Sequence, residues 1–193
     1  MAVSEHLRAF LEAAKVKYAV AKHPVVYTAQ EIAAAQHIPG RQLAKCVLVN
    51  TDRGPVLAVL PAIHLIDLKK LKSLLGAKRL TIAKETDIKQ RFPDVEVGAM
   101  SPFGNLYQVP VVVDRELGQS EDIAFNAGSH TETIKMRYRD FAALVKPTSG
   151  SFGKQIGGPR GKKKTATRPT KKPARGTKGK NAPKAKKTAK RRR

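Results

Sequence analysis

The chain is short of acid: 15 Asp and Glu stand against 38 Lys and Arg, a net charge of +23 over 193 residues. The shortage is uneven. From Lys154 to Arg193 there are 18 Lys and Arg and no carboxylate, so the residues before Lys154 carry only +5. Beyond Ile156 that stretch also lacks large apolar residues. A segment that buries no surface cannot offset its ordering entropy. A folded domain is therefore expected over 1–150 and a disordered basic tail over 151–193. Cysteine is reduced to Cys46, which excludes an internal disulfide and suits a reducing, cytoplasmic setting. No apolar h-region follows Met1, and the longest apolar stretch, Val56 to Ile66, is broken by Pro61 and His64. Neither an export signal nor a membrane span is predicted. A Walker loop, GxGxxG and Cys/His metal spacing are all missing, so no cofactor and no metal are expected.

What is present reads as alternating short elements. Ser4 can cap a helix with Leu7, Phe10, Leu11 and Ala14 on its apolar face. Tyr18 to Lys22 is a weak strand ended by His23-Pro24. Thr28 and Glu31 have the spacing of a capping box, which predicts a helix to about Gln36. Leu43–Thr51 and Pro55–Ala62 are β-rich runs joined by Asp52-Arg53-Gly54, a hairpin expected at the centre of a sheet. Asp67 can cap a leucine-spaced helix closed by Gly76. A strand at Arg79–Ile82, a helix over Lys84–Phe92, strands at Gln108–Asp114, Ile123–Phe125 and Glu132–Met136, and a final helical turn over Asp140–Val145 follow. Without regular βαβ alternation, the expectation is an α/β fold of the mixed α+β kind: a strongly twisted mixed sheet surrounded by helices.

One stretch fits no packed element. Gly98-Ala99-Met100-Ser101-Pro102-Phe103-Gly104 holds two glycines and a proline, so it can bring backbone N–H groups close to a ligand oxygen; it can equally be a plain connection. Lys45 sits in the most apolar strand, either facing outward or as a cation kept for a purpose. His130 follows Gly128-Ser129 at a strand end, with a structural or a chemical role open. His23 and His64 read as packing or surface residues. Cys46 points to the opposite strand face from Lys45, which leaves Cys/His nucleophilic catalysis little support. Ser101 is a candidate nucleophile without a G-x-S-x-G elbow.

Lys45 in its apolar strand, then Gly98-x-x-x-Pro102 with Phe103-Gly104, then Phe125-Asn126-Ala127-Gly128-Ser129-His130 together resemble the YbaK family and the editing domain of bacterial prolyl-tRNA synthetase. The resemblance runs from about residue 4 to 147 and includes the His23-Pro24 strand end and the Asp67–Leu71 helix. It implies a YbaK-like fold and a metal-free, trans-acting aminoacyl-tRNA deacylase. It implies catalytic roles for Lys45, Gly98, Ser101 and His130. Ala99, Met100, Pro102, Phe103, Asn126, Ala127, Gly128 and Ser129 would bind substrate, with small amino acids such as Ala, Ser or Thr favoured. The tail, including Lys162, Lys163, Lys164, Lys171, Lys172, Arg191, Arg192 and Arg193, lies outside the family pattern and is expected to hold tRNA, with ribosomes, other RNA or DNA as other partners. A monomer without membrane contact is expected. A non-catalytic RNA- or DNA-binding protein driven by the tail is the alternative reading.

Overall fold

The computed structural model describes residues 4–25 and 27–155, and the expected tail contacts from Lys162 to Arg193 lie outside the described residues. Helix α1 (Glu5–Ala13) buries Leu7 and Leu11, with Ser4 at its N-cap. The Ser4 side chain makes no capping bond; its hydroxyl donates instead to Asp94 Oδ2 at 2.5 Å. After β1 (Tyr18–Lys22), the Thr28 capping box forms as the sequence predicts: Thr28 Oγ1 accepts from Glu31 N and Glu31 Oε2 accepts from Thr28 N. It opens α2 (Ala29–Ala35).

Strands β2 (Ala44–Thr51) and β3 (Gly54–Pro61) form the expected hairpin, with Thr51 paired to Gly54 across the turn. Then come β4 (His64–Ile66), α3 (Leu68–Leu74), β5 (Leu80–Ile82) and α4 (Glu85–Arg91). Asp67 caps α3 by accepting from the amides of Lys69 and Lys70, both at 3.1 Å. Gly76 takes the left-handed conformation, φ +58°, which costs glycine little. The chain continues through β6 (Val111–Asp114), β7 (Asp122–Asn126), β8 (Glu132–Arg137), α5 (Tyr138–Val145), β9 (Thr148–Gly150) and β10 (Gly153–Gln155). The strand expected from Gln108 begins only at Val111. Gln108 itself is left-handed, φ 56°, after a 3₁₀ turn over Gly104–Tyr107, and Pro110 has no N–H to give a ladder.

The strands form a five-stranded mixed sheet in the order β5-β2-β3-β6-β9, a three-stranded antiparallel sheet β1-β8-β7, and the pair β10-β4. Alternation along the strands divides the core. On one face of the larger sheet Ala44, Leu48, Leu57, Val59 and Val113 join Phe125, Ile134 and Met136 of the smaller sheet, closed by Leu7, Leu11 and Phe141 of the helices. On the other face Val49, Ala58, Leu60 and Val112 pack beneath Leu71 of α3 and beside Phe152. Fully burying one such phenylalanine contributes roughly 1.5–3 kcal/mol. The fold therefore extends five residues past the expected boundary at 150. Phe152 is wholly buried, and Asp114 Oδ2 accepts from the amides of Phe152 and Gly153 at 2.8 and 2.6 Å. Gly150, Ser151 and Gly153 read as linker, so no local signal marks these residues as part of the fold.

Candidate active site

Among the described residues one isolated backbone bridge links the two larger sheets. Leu43 and Ala124 form an isolated parallel bridge, and Ala124 N donates to Gln42 O at 2.9 Å. Beyond it β2 pairs with β3 and β5, and β7 with β8, so the strands part company and leave a small cleft of ≈ 40 Å³. Lys45 and Cys46 border it from β2, Asn126 from β7, Gly98 and Met100 from the loop, and Tyr27, Ala29 and Ile32 from the start of α2.

Lys45 lies opposite Leu60 in the hairpin register, on the face that also carries Val47 and Val49. It is half-buried, and burial holds its ammonium below the usual lysine range. Among the described residues it has no ion pair. A partly desolvated cation without a counter-charge is costly, so the site suits an anion that arrives with a ligand. Cys46 takes the other face, packed against the core with Ala44 and Leu48. Burial pushes its thiol far above the ordinary range, which removes the thiolate a nucleophile needs.

The loop is held open by its backbone. Gly98 has φ +90°, a region that side chains with a Cβ avoid. Ala99 N is committed to Glu96 O, and Ala99 O accepts from Gly128 N. The amides of Gly98 and Met100 make no backbone hydrogen bond among the described residues. His130 braces this loop from behind. Its Nε2 donates to Val97 O at 2.9 Å, and its own N–H donates to Glu96 Oε2 at 2.9 Å. Because a carbonyl only accepts, the neutral imidazole carries its proton on Nε2. Nδ1 is buried without a partner among the described residues, while the ring lies 4.9 Å from that of Tyr27.

Of the residues the resemblance implies, Lys45, Gly98, Met100 and Asn126 meet at the cleft and His130 stands directly behind it. The others do not border it. Phe103 is wholly buried in an aromatic cluster, its ring 5.8, 5.6 and 5.6 Å from those of Phe10, Phe125 and Phe141. It is a core residue, not a substrate contact. Ala99 and Ala127 are fully enclosed, Ser101 and Pro102 are buried outside the walls, and Ser129 Oγ lies 3.3 Å from Thr131 Oγ1. Gly128, φ +99°, faces Ser4, whose Cβ would lie 3.2 Å from any side chain added there. Tyr27, Ala29 and Ile32 were missed by sequence reasoning. A signal existed: around the Thr28 cap, Tyr27 and Ile32 hold the N′ and N4 positions of a hydrophobic staple.

Known proteins share the sequence pattern and the fold. Residues 23–144 match the aminoacyl-tRNA editing domain. The chain belongs to that family. Its activity is the deacylation of mischarged aminoacyl-tRNA. Among curated relatives, the prolyl-tRNA editing protein ProX of Acetoanaerobium sticklandii is 28% identical over 148 residues, covering 74% of this chain and 90% of that protein. A proline–tRNA ligase of Thermosipho africanus is 30% identical over 81 residues, 42% of this chain but 14% of the ligase. Among solved structures, a candidate trans-editing enzyme for prolyl-tRNA synthetase superimposes with a TM-score of 0.71 at 19% identity, over 80% of this chain and 98% of that one. The YbaK-like fold expected from the sequence is the one observed.

Proposed function

We propose that the fork between β2 and β7 is the hydrolytic site and that the protein acts in trans, with tRNA as its partner. The likeness to ProX over 90% of that protein supports the second point. The observation that carries the first is Lys45, a cation without a counter-ion beside two unpaired loop amides. The reaction needs little more. An aminoacyl ester is already activated, so water adds to its carbonyl carbon and the C–O bond to the ribose breaks. A ribose hydroxyl and an amino-acid carboxylate form, with one proton released.

In this reading the Gly98 and Met100 amides receive the carbonyl oxygen as negative charge grows on it, where preorganised donors act most strongly. Lys45 pairs with that charge or with the terminal nucleotide, and Asn126 faces the aminoacyl group. His130 positions the loop and does not itself meet the ester. A cleft of ≈ 40 Å³ has room for roughly three waters, or a methyl or hydroxymethyl group, which supports Ala, Ser or Thr as the removed residue. Deacylation of a panel of mischarged tRNAs tests this: turnover should be fastest for the smallest side chains, and a preference for a bulky one would reject the pocket assignment. The basic tail supports a second role as a phosphate tether. Its lysines, without interleaved aromatics, read charge, not sequence.

A further inference from the structure

The excess charge of the folded part is concentrated in the segments around β5, an edge strand of the larger sheet. The hairpin tip (Asp52, Arg53) and the stretch 67–91, which holds α3, β5 and α4, contain nine Lys and Arg against four carboxylates. The remaining residues before Lys154 divide evenly, 11 basic against 11 acidic, so these segments account for the whole +5. All nine basic residues are exposed. Among the described residues none of them makes an ion pair.

Three of the four carboxylates are turned onto backbone amides. Asp52 Oδ1 accepts from Lys78 N and Arg79 N at 2.7 and 3.1 Å, Asp67 caps α3, and Asp87 Oδ2 accepts from Lys84 N and from Asn50 Nδ2. Asp52 thereby fixes the Lys78-Arg79 turn against the hairpin tip, where the guanidinium of Arg53 also approaches Gly76. An edge strand with unpaired lysines is commonly explained as protection against edge-to-edge pairing. That accounts for Arg79 and Lys84, which flank β5 (Leu80–Ile82), not for nine spread over a turn and two helices.

We propose that this edge is a docking face for the phosphate backbone of the substrate RNA, separate from the tail, with Arg53, Lys78 and Arg79 at its centre. The proposal rests on the deacylase reading. Its geometry suits a nucleic acid that threads its 3′ end to Lys45, since Lys45 and Thr51 lie on one strand about 20 Å apart. The tail would then add range and rate, while the edge sets how far the end reaches.

The test uses the full chain and uncharged tRNA, with affinity followed over a salt series. The variant Arg53→Gln/Lys78→Gln/Arg79→Gln is compared with Arg8→Gln/Lys15→Gln/Lys17→Gln, which removes the same charge from exposed positions elsewhere. The log–log salt slope should flatten by about 2–3 in the edge variant and by less than ~1 in the other, with affinity near 150 mM salt falling about tenfold or more only in the first. A 3′-aminoacyl-adenosine ester, which has no phosphates, should be hydrolysed by both variants at the parental rate. Equal slopes in the two variants would overturn the docking face, as would loss of adenosine-ester hydrolysis in the edge variant, which would mean damage to the site. If the parent itself fails to cleave that ester, the deacylation site is misassigned, and the binding slopes still decide the docking face.

Discussion

Gly98 and His130 are in van der Waals register: a Cβ built on the glycine would lie 3.4 Å from His130 Cε1. The space is tight but passable, so what excludes a side chain is chiefly the backbone conformation at φ +90°. Gly98→Ala should therefore cost about 1–3 kcal/mol of stability and lower deacylation at least tenfold, because the strained loop relaxes and takes its amides with it. Thermal unfolding together with single-turnover hydrolysis reads both; a folded variant with parental turnover would reduce the loop to a connection.

His130→Ala removes the brace without touching the ester in the proposed geometry. Turnover should fall by roughly 10–100-fold, and amide exchange at Val97 to Met100 should accelerate. A histidine acting directly as base would instead lose activity with exchange at those amides unchanged.

Lys45→Met separates activity from stability. Activity should drop by ~100-fold or more, yet the variant should melt higher, since a partly buried charge is replaced by an apolar chain of similar length. The pH dependence follows from the direction of the shift. Burial lowers the folded-state pKa of Lys45, so the unfolded chain binds the proton more tightly. The parent therefore gains stability as pH rises from the folded toward the unfolded value, and the advantage of Lys45→Met should shrink over that window. An advantage constant with pH would show that the ammonium carries no burial penalty.

Asp94 joins the N-terminus to the rest of the domain. Burial raises its pKa, but hydrogen bonds from Ser4 and from Tyr107, the latter 2.8 Å from Oδ1, outweigh this and leave it below the usual carboxylate range. Asp94→Asn should cost about 1 kcal/mol at neutral pH, a figure kept low for a residue open to solvent. The sign is the carboxylate one: the contribution is present above the unfolded pKa and fades as pH falls through the folded one. Urea midpoints of the two proteins should converge in acid.

Phe152→Ala should cost about 3–5 kcal/mol, although the sequence assigns the position to a tail. Chemical denaturation measures this directly, and a cost under ~1 kcal/mol would mean that β9 and β10 add little to the sheet.

The elements that the sequence foretold are those written locally. The Thr28 box, the Asp67 cap, Gly76 and the hairpin, though its turn keeps only Asp52 and Arg53 of the three residues expected, each depend on residues within four positions of one another. What escaped depends on distant partners. Ser4 looks like a cap but bonds to a residue 90 positions away. Phe103 follows a proline and precedes a glycine, which reads as loop, and only three other phenylalanines make it core. Lys45 was legible as an anomaly because its neighbours are so apolar. Tyr27 was legible only as the N′ partner of a hydrophobic staple, and its place at the cleft depends on the strand fork that sets β2 and β7 beside it.

The antiparallel pairing of β1 with β8, Tyr18 against Met136, sets a schedule for synthesis. Chains emerge from the N-terminus at about 5–20 residues per second, so the older strand waits on the order of 6–24 s for its partner. Through that interval Tyr-Ala-Val-Ala is an unpaired, β-prone segment in a crowded solution. Lys17 and Lys22 flank it, both exposed in the finished domain. Charges in that position are gatekeepers: beyond the exposed Lys22–Glu132 ion pair across the sheet they add little to the final structure, but they repel other nascent copies until β8 arrives.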